Sequence, residues 1–235
     1  MTTRRAAAAD PRRRLAAALR RRQGLAALTT LLTAAGLLAS CAGTPLPPAQ
    51  WVRLPSQPTQ PATAAAAPAT SSPQTWQLLG PIALPGHLDH SALLLPAATG
   101  AGIRLVAHPQ LRWAEPLRDA VPRLLRQDLQ QALGTPLWTA PLPAALQPTR
   151  QLRLELLALD AQAAPAPGVA VQARWVLSGT GLAPVQGEIA FVQPAGAASR
   201  ETAGAADALV LAHRQALATL AQRLAQALRA ADQRP

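Results

Sequence analysis

The densest chemistry in the chain is His87-Leu88-Asp89-His90. Two imidazoles and a carboxylate within four positions could ligate zinc, but such a site needs three or four ligands. The remaining histidines, His108 and His213, lie far off in sequence, so the cluster is short of a full ligand set and no metal is expected. The second reactive group is Cys41, the single cysteine, which excludes an intrachain disulfide. It follows Leu38-Ala39-Ser40, the bacterial lipobox pattern, in which the thiol is acylated and the chain is cut before it. An acylated cysteine cannot serve as a catalytic thiol. Neither a GxSxG elbow nor a Walker loop is present, and Ser178-Gly179-Thr180-Gly181 reads as a hairpin turn. No catalytic constellation assembles from these residues, so neither an enzyme nor a cofactor is expected.

Two further polar residues, Asp128 and His213, fall within apolar helical arcs. A lone buried aspartate is costly, so it needs a partner or must stay exposed. The two could meet as a buried hydrogen-bonded pair if both helices cover one sheet face. The reading adopted is the plainer one, that one of them lies at the solvent edge.

The elements that would position these groups follow from periodicity. Leu117, Val121, Leu124, Leu125, Leu129, Ala132 and Leu133 mark one face of a helix within Trp113–Gly134. Pro116 suits its first turn and Gly134 the position past its end. Pro122 sits in the second turn, where a bend is expected. Burying five leucines and the valine would contribute about 10 kcal/mol as an upper bound. A second helix is expected over Ala205–Ala231, with Leu209, Val210, Leu217, Leu220, Leu224 and Leu228 inward. Strands are expected at Trp76–Leu84, Ala92–Leu95, Ile103–Ala107 and Leu137–Thr139. Alternation then marks Leu152–Leu156, Val169–Leu177 and Val185–Phe191. Strands, helix, strands, helix predict an α+β domain, an antiparallel or mixed sheet with two helices packed on it.

Charge and composition divide the rest. The net charge is +11 with no lysine, but eight of the 22 basic residues precede position 23. That arginine-rich start, the apolar Leu25–Leu38 and Cys41 form a lipoprotein signal peptide over residues 1–40. The apolar run is shorter than the roughly 20 residues of a membrane span. From Cys41 onward the acids nearly balance the arginines and no basic patch is clustered, which argues against nucleic acid as a partner. Residues 41–75 read as a lipidated, Pro/Ala/Ser-rich tether. Thirty residues of polyproline II would reach on the order of 90 Å at most. Trp51-Val52-Arg53-Leu54 interrupts it, either as a short docked strand or as an apolar speck. Residues 76–235 are the folded domain.

Several motifs then combine: Leu84-Pro85 ahead of Leu88-Asp89, the apolar Leu93-Leu94-Leu95, and Trp113-Ala114-x-Pro116-Leu117 opening a helix that ends at Leu133-Gly134. From about Trp76 to the C-terminus, and in its lipidation signal, the chain resembles the ABC-type transport auxiliary lipoproteins, the PqiC-like family. It departs from that pattern in lacking the Tyr-Tyr-x-Leu segment, whose place Trp51 and Leu54 could take. It also carries histidines in the 87–90 loop, where the family has an aromatic residue first and commonly a basic one last. The resemblance implies a non-enzymatic component of an ABC/MCE-type system moving lipid between membranes. Its partners would be an MCE-domain protein and an ABC permease/ATPase, with homo-oligomers possible. His87, Leu88, Asp89 and His90 are the candidate partner-binding residues. Alanine rather than aspartate after Cys41 implies the outer membrane, facing the periplasm. A second reading is a free-standing outer-membrane lipoprotein that binds a small apolar ligand or assists another envelope assembly. A hydrophobic cavity would favour the second reading, and a solid core with exposed apolar edges the first.

Overall fold

The computed structural model describes residues 48–58, 74–97, 104–162, 167–196 and 202–233. The signal peptide, Cys41, most of the proline-rich segment and the 98–102 turn lie outside them. The described residues form one compact unit within Pro48–Pro235.

Two helices and two sheets make the α+β architecture. The larger sheet has five strands: β2 (Trp76–Leu78), β5 (Leu137–Thr139), β6 (Arg150–Gln162), β7 (Gly168–Gly179) and β8 (Leu182–Pro194), in the order β5-β2-β6-β7-β8. The smaller has three: β1 (Gln50–Val52), β3 (Ala92–Pro96) and β4 (Leu105–Trp113), in the order β1-β4-β3. The β2 strand is parallel to both its neighbours, and β6-β7-β8 is an antiparallel meander.

The long meander follows the alternation read from sequence. Leu152, Leu154, Val169, Val171, Ala173, Trp175 and Leu177 are buried on one face, which the C-terminal helix covers. Trp175 lies opposite Gly187 on β8, and a Cβ there would sit 2.5 Å from the indole ring, so only glycine fits. Gly181, at φ +71°, closes the β7–β8 hairpin.

Elsewhere the strands differ from expectation. Trp76–Leu84 is not one strand. Gly80 takes φ +71° and Pro81 has no N–H, so the ladder stops at Leu78 and resumes only as a single bridge from Ala83 to Glu155. The β2 strand lies between β5 and β6, and Trp76, Gln77 and Leu78 are all buried, so both of its faces are covered and no side faces solvent. The β4 strand runs on to Trp113, well past Ala107.

The first helix, α1 (Leu117–Leu133), starts behind Pro116 and ends at Gly134, whose φ of 71° closes it. Val121, Leu124 and Leu125 are fully buried. Pro122 is accommodated near the N-terminal end. The second helix, α2 (Thr202–Asp232), packs on α1 and across β6, β7 and β8. Its far end is tied down by Arg150, which bonds Asp232, and by Gln74 Nε2, which donates to Asp232 Oδ2 at 2.8 Å.

Candidate functional site

The 85–90 loop is shaped by its own backbone. Gly86–Leu88 is a single 3-10 turn behind Pro85, with Leu88 N–H donating to Pro85 O at 3.0 Å and Asp89 N–H to Gly86 O at 3.1 Å. Leu88 is buried and holds the turn to the core. A partner meeting this loop would therefore touch His87, Asp89 and His90. Those three side chains go to different places. His87 Nε2 lies 2.5 Å from Asp160 Oδ1 on β6. Asp89 receives Arg118 of α1, 3.1 Å from each carboxylate oxygen. His90 Nδ1 accepts the Ala92 N–H at 3.0 Å. The loop is thus clipped to β6, α1 and β3 by three separate bonds. Among the described residues no group of three or more His, Cys, Asp or Glu is placed to hold a metal ion.

Behind the loop is a small cleft lined by Leu88, His90, Trp113, Asp160 and His213, among others. It offers about 20 Å³ to the centre of a water molecule, room for about one water. Small-molecule sites run to roughly 300–1,000 Å³.

His213 and Asp128 are both buried, so neither lies at the solvent edge. They do not pair with each other. His213 Nδ1–H donates to Leu209 O, one helical turn earlier, at 2.7 Å, and the ring meets Trp113 edge-on with centroids 6.0 Å apart. Burial holds its pKa below the ordinary value, with the Leu209 bond and the Asp160 charge opposing weakly. Asp128 is instead held by the next residue on α2, Arg214. The guanidinium is completely buried and donates to Asp128 Oδ2 at 2.6 Å and Oδ1 at 2.7 Å, a bidentate pair. Burial pushes the Asp128 carboxyl above its ordinary value, and the bonds and charge of Arg214 pull it back.

The remaining donors of Arg214 reach a third segment. Nε donates to Pro55 O at 2.8 Å and an Nη to Ser56 O at 2.9 Å. That segment leaves β1, which runs parallel to β4 with Gln50 beside Leu111 and Val52 beside Trp113. Ala114 N–H adds a bond to Val52 O at 2.8 Å. Leu54 is buried while Trp51 is 67% exposed. The stretch Trp51–Leu54 is therefore docked, as the end of β1 through Val52 and then by the buried Leu54, and the segment that follows is held by one arginine that also joins the two helices.

Arg214 was missed in the sequence because arginine is read as an outward residue whose stem covers apolar surface. The signal was there. It lies four residues after Val210 and three before Leu217, on the buried arc of α2, and an acid sits on the buried arc of α1.

A model of the ABC-type transport auxiliary lipoprotein component family matches residues 59–225. The chain belongs to this family. Two solved structures share the family's fold with it. One, a crystal structure of an uncharacterized protein, has a TM-score of 0.54 at 14% identity, over 77% of this chain and 99% of that one. The other, a Xanthomonas campestris protein of the DUF330 family, has a TM-score of 0.53 at 14% identity, over 79% of this chain and all of that one. At that identity the likeness is one of fold. Among curated proteins nothing matches the chain. No helix among the described residues is long and apolar enough to cross a membrane.

Proposed function

We propose that the chain is an acylated envelope lipoprotein that serves, without catalysis of its own, as the auxiliary component of an ABC/MCE-type system moving lipid between the inner and outer membranes. The observation that carries this reading is the family match over residues 59–225. The lipobox at Cys41 supplies the anchor, and Ala42 after it directs the protein to the outer membrane, facing the periplasm. The partners are then an MCE-domain protein reaching across the periplasm and, behind it, the ABC permease and ATPase. The lipid is carried by those partners. In this chain the cleft beside the loop is too small for an acyl chain, which weighs against the ligand-binding alternative.

The contact surface is the 87–90 loop, where His87, Asp89 and His90 are held at the surface over the buried Leu88. Association into homo-oligomers would multiply that surface around a common axis. A photo-crosslinking residue placed at His87, and separately at Arg123 on the outward face of α1, tests the reading. Crosslinks to an MCE-domain protein in cells are the expected result. Purified protein that carries phospholipid in a closed cavity and captures no partner in cells would overturn it. Cys41→Ser is expected to abolish acylation and cleavage together, read by incorporation of labelled fatty acid. Fractionation with the inner membrane would contradict the assigned compartment.

A further inference from the structure

If Cys41 carries the anchor, as proposed above, the length of chain between it and the first docked residue decides where the domain sits. Counting to the domain start read from sequence, Trp76, allows a reach on the order of 90 Å. The structure moves that point. Chain docking begins at Gln50, the start of β1, which is nine residues after Cys41. Nine residues span no more than about 30 Å even when fully extended. A unit of this size is about 40 Å across, so the leash is shorter than the domain is wide.

The dock is firm. The β1 strand is laddered to β4, Leu54 is in the core, and Arg214 bonds the carbonyls of Pro55 and Ser56 from a fully buried position. The proline-rich residues that follow Ser56 come after the dock and add nothing to the reach from the anchor.

The surface beside the anchor point has a matching chemistry. Val52 and Leu54 point inward, which turns Trp51 and Arg53 outward. Trp51 is paired in register with Arg112 of β4, so their side chains share one face. Trp51 is the most exposed large apolar side chain among the described residues, at 67%. None of the ion pairs among the described residues takes in Arg53 or Arg112. Arg112 bonds only backbone carbonyls, those of His108 and Leu111, which leaves its charge uncompensated. Tryptophan favours the membrane–water interface, and arginines favour anionic lipid headgroups.

We infer that the outward face of β1 and the end of β4, with Trp51, Arg53 and Arg112, rests on the surface of the bilayer that holds the Cys41 anchor. The occupant of this face is an anionic lipid surface. The domain is thereby seated on its membrane in one orientation, with the chain between Cys41 and Gln50 as a short strap.

The test uses the acylated full-length product, isolated from membranes and reconstituted in phosphatidylethanolamine–phosphatidylglycerol vesicles containing brominated lipid. Intact mass first establishes the acyl group on Cys41. Brominated lipid is expected to quench part of the tryptophan emission, and Trp51→Ala should remove most of that quenching. Trp138→Ala, at another exposed tryptophan, should leave it. An insert of about 20 Gly/Ser residues between Gly43 and Thr44 should lower quenching about twofold or more, because the local concentration of the face at the bilayer falls with linker length. The same insert after Ala65, beyond the dock, should leave quenching unchanged. Equal effects of the two inserts, or full quenching in Trp51→Ala, in acylated protein would overturn this inference alone. An unmodified Cys41 would overturn the anchoring reading and this inference with it.

Discussion

Two sets of charged contacts stand in contrast. At the junction of α1, α2 and the Pro55–Ser56 segment, Arg214 and Asp128 have side chains 0% and 7% exposed. In the 85–90 loop, Arg118 and Asp89 are 61% and 53% exposed, and His87 and Asp160 are 38% and 36% exposed. The chemistry is nearly the same, a guanidinium or imidazole on a carboxylate. Water makes the difference. The loop pairs exchange one solvated state for another, so each contributes little to stability. The junction pair has no such exchange. Once out of water, every donor of Arg214 must find a protein acceptor, and the ones it finds belong to two separate stretches of chain, so that with its own helix three are joined. A buried pair fixes geometry, and an exposed one leaves a surface available.

Breaking the buried side of this contrast should have the largest effect. Asp128→Ala leaves the Arg214 charge unpaired in the core and is expected to cost about 3–5 kcal/mol, read from urea unfolding. Replacing both residues by apolar ones, Asp128→Leu with Arg214→Met, should cost clearly less than Asp128→Ala alone. A double variant as damaged as the single one would mean that the Pro55 and Ser56 carbonyls, not the ion pair, carry the junction. Next comes Leu54→Ala, expected to lose about 2–5 kcal/mol as a buried core leucine. A loss below about 1 kcal/mol would place the segment on the surface rather than in the core.

His213 lies between the two regions, beside Arg214 in sequence and lining the cleft with His87 and Asp160. Its folded pKa is held below the 6.5 of the free group. The folded protein keeps it neutral where the unfolded chain takes up a proton, so its contribution is whole above 6.5 and is lost as pH falls from there towards the folded value. Asp128, with its pKa raised, works in the opposite sense at lower pH. Comparing wild type with His213→Asn separates them. The wild-type urea midpoint should fall between about pH 7.5 and 5.5 more steeply than that of the variant. Parallel slopes would show that His213 does not titrate against folding. The smallest effect is expected on the exposed side. Asp89→Asn should change stability by no more than about 1 kcal/mol, and thermal unfolding is the check. A larger loss would make the loop a structural clamp.

Much of this molecule was legible in the chain itself. Short-range rules were enough for α1 with its Gly134 cap, for the alternation of β7, for the hairpin at Gly181 and for the α+β class. These depend on residues within a few positions of one another, where period and backbone preference act directly. The motifs that carry the family resemblance are local in the same way. What lay beyond reach was set by neighbours distant in sequence. The break of the first strand at Gly80-Pro81 has a local cause that was read too leniently. Its parallel pairing to both β5 and β6, and the burial of three consecutive residues there, have none. Asp128 was singled out as needing either a partner or an exposed place; the solvent-edge reading adopted for it or His213 is overturned by the burial of both, and the partner weighed as the alternative, His213, is not the residue that holds it. His213 and Arg214 are adjacent, and only the packing of α1 against α2 decides which of them faces the carboxylate. The docking of Trp51–Leu54 is the clearest case. Four residues in a proline-rich stretch have no period to announce a strand. They are ordered by a sheet edge some 60 residues away and an arginine some 160 away, distances along the chain that local patterns do not span.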